Sequence, residues 1–250
     1  MSATPETSAG LPIPDEPISR TESAPLLGDP GDVLQRSGES LVPNLYTGTA
    51  WLAQAGILLL VALVWAAVFR HPLLPLFSPH PLLQSLGIFV LVQAILVLQP
   101  TAAPTDKVRG ARVHGALQLL SLVLFAAGIS LIEANKIRSH GVHLHSAHGV
   151  LGVITAVVLL GQYVFGFLIW AAPVGLFGRV DRAKALYKQH RWTGYAVLLP
   201  LLLATALTAT ATDYNVNVLD IRTWAVLVAA VLIVVGVYPR IHGRKLGLWN

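Results

Sequence analysis

Residues 146–172 read SAHGVLGVITAVVLLGQYVFGFLIWAA, twenty-seven positions without an Asp, Glu, Lys or Arg. An α-helix needs about 20 apolar residues to cross a hydrocarbon core of about 30 Å, so this stretch is long enough to span one. Its apolar character runs around every face, which excludes an amphipathic surface helix. Five more uncharged stretches of similar length flank it, at roughly 50–69, 80–100, 113–132, 192–212 and 223–239. The chain as a whole is 54% hydrophobic and 12% charged, about half the charge of a soluble domain. The fold class is therefore all-α, a six-transmembrane-helix bundle over residues 50–240 with lipid around it. Residues 241–250 form a short tail.

Residues 1–49 differ. They hold seven Pro, seven acidic residues and two Arg, and no long apolar run. Such a segment buries too little apolar surface to offset its ordering entropy and is expected to be a disordered tail. It has no basic n-region followed by an apolar h-region, so the first span is expected to act as the targeting signal. Within it, Glu22-Ser23-Ala24-Pro25-Leu26-Leu27 has the acidic-dileucine form that directs proteins to endosomal or vacuolar membranes.

Six spans place both termini on one face. That face collects Arg20, Arg36, Lys107, Arg109, Arg112, Arg179, Arg182, Lys184, Lys188, Arg191, Arg240, Arg244 and Lys245, whereas the other has Arg70, Lys136, Arg138 and Arg222. The positive-inside rule puts the rich face, and both termini, in the cytoplasm. The same clustering at helix ends explains a sequence pI near 9.7 without nucleic acid.

There is no cysteine, which removes disulfides, iron–sulfur clusters, thiolate zinc and covalent c-type haem. Any metal chemistry rests on nine histidines. In the charge-derived topology His80 and His148 open the second and fourth helices on the non-cytoplasmic side. His114 and His190 open the third and fifth on the cytoplasmic side. Two histidines from facing helices can sandwich one iron porphyrin, and small neighbours such as Gly115, Gly149, Gly152 and Gly194 would let a flat macrocycle approach. Histidine is also an ordinary interfacial residue, and His71 and His242 are read that way. A metal-ion or proton transporter using histidines as a relay is the alternative. Transport residues usually sit near the midplane, however, and no acid falls within the six uncharged stretches.

The helix starts carry more information than their histidines alone. Ser78-Pro79-His80-Pro81-Leu82-Leu83, Arg112-Val113-His114-Gly115-Ala116-Leu117-Gln118, His148-Gly149-Val150-Leu151-Gly152 and Lys188-Gln189-His190-Arg191-Trp192-Thr193-Gly194-Tyr195 follow one another along the chain. In that order they resemble the cytochrome b561 family over about residues 50–240. The Arg-rich run before His114 is similar to the branch of transmembrane ferric-chelate reductases. One departure is visible: the family often has Ser-Trp after the fourth-helix histidine, where this chain has Gly149-Val150.

The resemblance implies a four-helix haem-binding core formed by helices 2–5, with two non-covalent haem b groups. His114 would pair with His190 on the cytoplasmic side, and His80 with His148 on the other. It implies electron transfer from cytoplasmic ascorbate to monodehydroascorbate or a ferric chelate, and a possible homodimer. No stretch after residue 240 is long enough for a nucleotide-binding domain, so a small diffusible donor or a partner protein is expected to supply electrons.

Around these ligands, Lys107, Arg109, Arg112, Lys184, Lys188 and Arg191 form a cationic rim suited to the ascorbate monoanion, and they also serve as topology determinants. Tyr187 is a weaker candidate in the same region. On the far side His140, His143 and His145 lie in one loop, where the His-x-His of His143 and His145 can meet a ferric complex. His145 is also a rival axial ligand to His148. Gln93, Gln118 and Gln162 are candidate polar neighbours of the haems, or ordinary interhelical bonding groups.

Overall fold

The computed structural model describes residues 33–246, and it is helical with no strand among them. Six helices are long and apolar enough to cross a membrane: Ala50–Phe69, Pro79–Leu98, Pro104–Ser139, Ala147–Ala171, Val180–Ala211 and Thr223–Arg240. These are the first to sixth spans. The acidic-dileucine segment, Arg20 and the end of the C-terminal tail lie outside the described residues.

Two spans are longer than their uncharged stretches. The third runs for 36 residues, about 54 Å at 1.5 Å per residue, well beyond a core of about 30 Å. Pro104 begins it without losing a bonded N–H, and Asp106 complements the N-terminal dipole. At its far end His140 takes a left-handed φ of 52° and Gly141 N–H bonds Lys136 O at 2.9 Å, a helix-ending turn. The fifth span starts at Val180 with a charged segment and widens into a π turn over Gly194–Leu198. That widening directly precedes Pro200, whose ring would clash with the carbonyl four residues back in a regular helix. His114 and His190 thus lie well inside their helices rather than opening them, because the polar lead-ins remain helical.

The second span packs along the third, the first lies against the sixth and second, and the fourth packs on the fifth. Ile57, Leu91, Leu96, Phe125, Leu199 and Ile233 belong to the shared apolar core. The first and sixth spans approach closely through glycine. A Cβ on Gly56 would stand 2.6 Å from the Ala229 carbonyl oxygen, and one on Gly236 would collide with Ala53. Small residues allow this backbone approach where hydrocarbon offers no hydrophobic drive between helices. Large apolar side chains such as Val157, Phe167 and Trp224 face outward.

Residues 33–49, expected within a disordered tail, form a strap across the face that bears the termini. Gln35 N–H donates to Pro100 O at 3.0 Å, Gly38 N–H to Asp106 Oδ2 at 3.1 Å and Asn44 Nδ2 to Val97 O at 2.9 Å. Gln35, Leu41, Asn44 and Thr49 are buried there. Composition missed this because backbone and amide hydrogen bonds to helix ends hold the strap together with only a few apolar side chains such as Leu41 and Leu45.

Candidate haem-binding site

The four histidines form two facing pairs. His80 and His148 stand with ring centroids 6.2 Å apart near the face opposite the termini, the outer pair. His114 and His190 stand 6.4 Å apart near the face bearing the termini, the inner pair.

Local sequence sets each ring. Pro79 starts the second span, and Ser78 Oγ accepts the Leu74 N–H at 2.9 Å, fixing the entry to His80. Ser146 caps the fourth span by accepting the Gly149 N–H at 3.1 Å, placing His148 in the first turn. His80 Nδ1 bonds Gly128 O at 3.0 Å, His148 Nδ1 bonds Thr205 O at 3.0 Å and His114 Nδ1 bonds Ala94 O at 2.7 Å. A carbonyl only accepts, so in these three rings Nδ1 carries the proton and Nε2 keeps its lone pair for a metal.

His190 is held differently. Its Nδ1 is buried and has no hydrogen-bond partner. Instead the ring lies against Gly166, where a Cβ would come 2.7 Å from His190 Cε1, with Phe165 6.2 Å away. The backbone is the fixed part. His190 O accepts from Gln162 Nε2 at 2.6 Å and from Thr193 Oγ1 at 3.2 Å, and Thr193 also donates to Gln162 Oε1 at 2.7 Å.

The second and third spans hold these two histidines reciprocally. His80 bonds a carbonyl fourteen residues beyond His114, and His114 bonds one fourteen residues beyond His80. Fourteen residues of helix is about 21 Å, which separates the two levels. Between them Tyr163 Oη donates to Ser121 Oγ at 3.0 Å, and Ser121 Oγ donates to Gly87 O at 2.9 Å. Sequence reading missed this clasp, since a lone Ser or Tyr in an apolar stretch carries no pattern.

Other expected residues separate. His145 lies exposed with Nδ1 on Val142 O at 3.0 Å, so it turns to its own loop while His148 faces His80. His143 Nδ1 lies 3.0 Å from Glu133 Oε2, a half-exposed pair on the outer side. The acid had been overlooked because it follows the uncharged stretch on a helix longer than expected. Lys107, Arg109, Arg112, Lys184 and Lys188 are exposed and Arg191 is partly buried, while Arg109 Nη1 donates to Glu39 O of the strap at 3.2 Å. Gln93 makes a reciprocal amide pair with Gln54, at 2.7 and 3.0 Å. Gln118 Oε1 is buried without a partner.

Bonds of about 2 Å from metal to imidazole, with each nitrogen about 1 Å from its ring centre, set two axial imidazoles roughly 6 Å apart. Both pairs meet that spacing. Among the described residues no three His, Cys, Asp or Glu side chains converge as a metal-ion site. Each pair offers two imidazoles at a spacing that fits a metal held between them. The site and fold thus define a membrane bundle with two levels suited to axial haem ligation.

Comparison with known proteins agrees with this class. The family model for eukaryotic cytochrome b561 matches residues 79–215, more than half of the chain. The chain belongs to the cytochrome b561 family, and membership implies a b-type haem. It is 35% identical over 111 residues to the transmembrane reductase CYB561D2 of Mus musculus, covering 42% of this chain and 50% of that protein. The Homo sapiens CYB561D2 is 34% identical over 110 residues, covering 42% and 50% respectively. The lysosomal membrane ascorbate-dependent ferrireductase CYB561A3 of Danio rerio is 27% identical over 126 residues, covering 49% of each chain. The chain spans about half the length of these curated relatives.

Proposed function

We propose that this protein is a transmembrane oxidoreductase carrying electrons through two non-covalent haem b groups. Electrons pass from cytoplasmic ascorbate to an acceptor on the other side, monodehydroascorbate or a ferric chelate. The observation that supports this best is the pair of facing imidazoles at each level, 6.2 and 6.4 Å apart. His80 with His148 and His114 with His190 are the axial ligands in this reading. The bound haem supplies a one-electron couple that the side chains lack.

The residues then have separate tasks. His80 with His148 and His114 with His190 would each hold one haem iron by two imidazoles, which would favour electron transfer over oxygen activation. The carbonyls of Gly128, Thr205 and Ala94 orient three of the rings and raise their basicity through Nδ1–H. The charge asymmetry supports a cytoplasmic inner face, where Lys107, Arg112, Lys184, Lys188 and Arg191 gather the anionic donor. On the outer face, the exposed edge of His143 beside Glu133 is suited to the acceptor, with ferric iron as substrate. The names of relatives that include a lysosomal membrane ferrireductase support an endosomal or vacuolar membrane.

The test is the visible spectrum of the detergent-purified protein before and after ascorbate, with haem quantified per chain. Two low-spin b-type haems reduced by ascorbate are expected. Raising the salt concentration should slow that reduction at low ascorbate by several-fold, because exposed charges steer anions only over a Debye length of about 10 Å at 0.1 M. A colourless protein from haem-replete cells would refute this function and favour a histidine-dependent transporter of metal ions or protons.

A further inference from the structure

Arg240, at the inner end of the sixth span, is only 1% exposed. Its guanidinium donates from Nε to Gln99 Oε1 at 3.1 Å, from Nη2 to Asn44 O at 2.7 Å and Leu96 O at 3.4 Å, and from Nη1 to Thr47 O. Every acceptor is neutral. Among the described residues no carboxylate stands within ion-pairing distance. Buried charges are ordinarily paired, since desolvation alone costs several kcal/mol. Here the hydrogen bonds are satisfied and the charge is not cancelled.

The position of that charge bears on the inner pair. Leu96 lies on the second span and Gln99 caps its end, both just beyond Ala94, whose carbonyl holds His114. Ala94 to Gln99 is about 8 Å of helix. Gln99 Nε2 also donates to Tyr195 Oη at 3.2 Å, on the span that carries His190. Tyr238, two residues before Arg240, donates to Tyr195 O. The guanidinium is thus tied to the helix whose Ala94 carbonyl holds His114 and, through Gln99, to the helix that carries His190, and the strap carbonyls of Asn44 and Thr47 close over it.

We propose, on the reading that the inner pair holds a haem, that Arg240 is a buried positioning charge that makes the inner level the easier one to reduce. Reduction by one electron would lower the charge of the inner site by one, while the ascorbate monoanion that supplies it becomes the radical anion and releases its remaining enol proton to water. A fixed positive charge in a poorly screened setting favours that lower-charge state. The outer level, about 21 Å further along the bundle, feels little of it.

The experiment is a spectroscopic redox titration of the full-length purified protein as wild type, Arg240→Gln, Arg240→Lys and Gln99→Glu, after haem per chain has been measured. The inner signal is assigned by its loss in His190→Ala. At the ambient potential that half-reduces the inner haem of wild type, Arg240→Gln is expected to lower its reduced-to-oxidised ratio by on the order of tenfold. The outer haem should not shift, and Arg240→Lys should stay within about twofold of wild type. Gln99→Glu sets a carboxylate against the guanidinium, where the Tyr195 hydroxyl can turn to donate to it. It should lower the ratio in the same direction, and it decides the matter if Arg240→Gln does not fold. A Gln99→Glu protein that titrates like wild type, or variants in which both haems shift equally, would overturn the role of Arg240. A wild-type chain without haem overturns the two-haem reading itself, and the prior haem measurement tells the two failures apart.

Discussion

The outer and inner imidazole pairs have nearly the same ring separation but are built in different ways. The outer histidines sit in the first turns of their helices, and each gives its Nδ1 to a backbone carbonyl on a neighbouring span. The inner histidines sit deep in helices that continue toward the terminal face. There His114 has a carbonyl partner and His190 has none for Nδ1. The outer level is thus held by main-chain hydrogen bonds at both rings. At the inner level one ring is held by packing against Gly166 and by its own fixed backbone. Equal spacing with unequal anchoring teaches that geometry for a metal can be met twice while ligand strength differs between the levels.

Ligand removal is the strongest way to sharpen the contrast. His148→Ala should reduce haem from two per chain to one and spare the inner signal, and His114→Ala should do the reverse, as measured by haem extraction and visible spectra. If either substitution removes both haems, the levels are not independent. A smaller effect is expected from Gly166→Val, whose side chain must displace the His190 ring. Most of the inner haem should be lost while the outer remains, a result that equal loss from both would contradict.

The anchoring difference itself is open to a kinetic test. A net hydrogen bond contributes about 1 kcal/mol, so the inner haem should exchange an axial ligand for carbon monoxide or added imidazole about fivefold more readily than the outer. Stopped-flow spectra on the His148→Ala and His190→Ala proteins, each read at its remaining fully ligated haem, would reveal it, and identical behaviour at the two levels would remove the distinction. The smallest change should come from Thr205→Val. It deletes the 2.7 Å contact with Thr155 but keeps the carbonyl that holds His148. A loss of about 0.6 kcal/mol is expected by thermal melting, with the outer spectrum unchanged.

Much of this architecture was legible in the chain. Charge-free stretches of about 20 residues define spans in any sequence, because an unpaired charge in hydrocarbon is costly wherever it falls. His80 and His148 were readable as helix starts because Pro81 and Gly149 beside them mark such starts. The structure adds Pro79 in the first turn and Ser146 as the cap. His114 and His190 were expected to open their helices, since Lys107, Arg112 and Lys188 were taken as the edges of helices that in fact continue through them. Arg240 looked like one more loop cation. Its burial depends on Asn44 and Thr47, almost two hundred positions away in sequence, and no local pattern encodes such a contact. The strap was hidden for the same reason.

The reciprocal bonds between the second and third spans also restrict how this chain can change over time. A residue inserted between His80 and Ala94 would turn one half of the helix by about 100° and slide it by about 1.5 Å against the other. The ligand at one end and the acceptor at the other could then no longer both meet their counterparts on the third span. A single inserted codon would put the two histidine levels out of register. The connection at residues 99–103 lies outside that measured interval, so drift in length is tolerable there only as far as the strap's grip on Pro100 allows. Insertions and deletions should therefore be scarcer inside these two spans than point substitutions of equal severity, and the pair should be inherited as one calibrated unit.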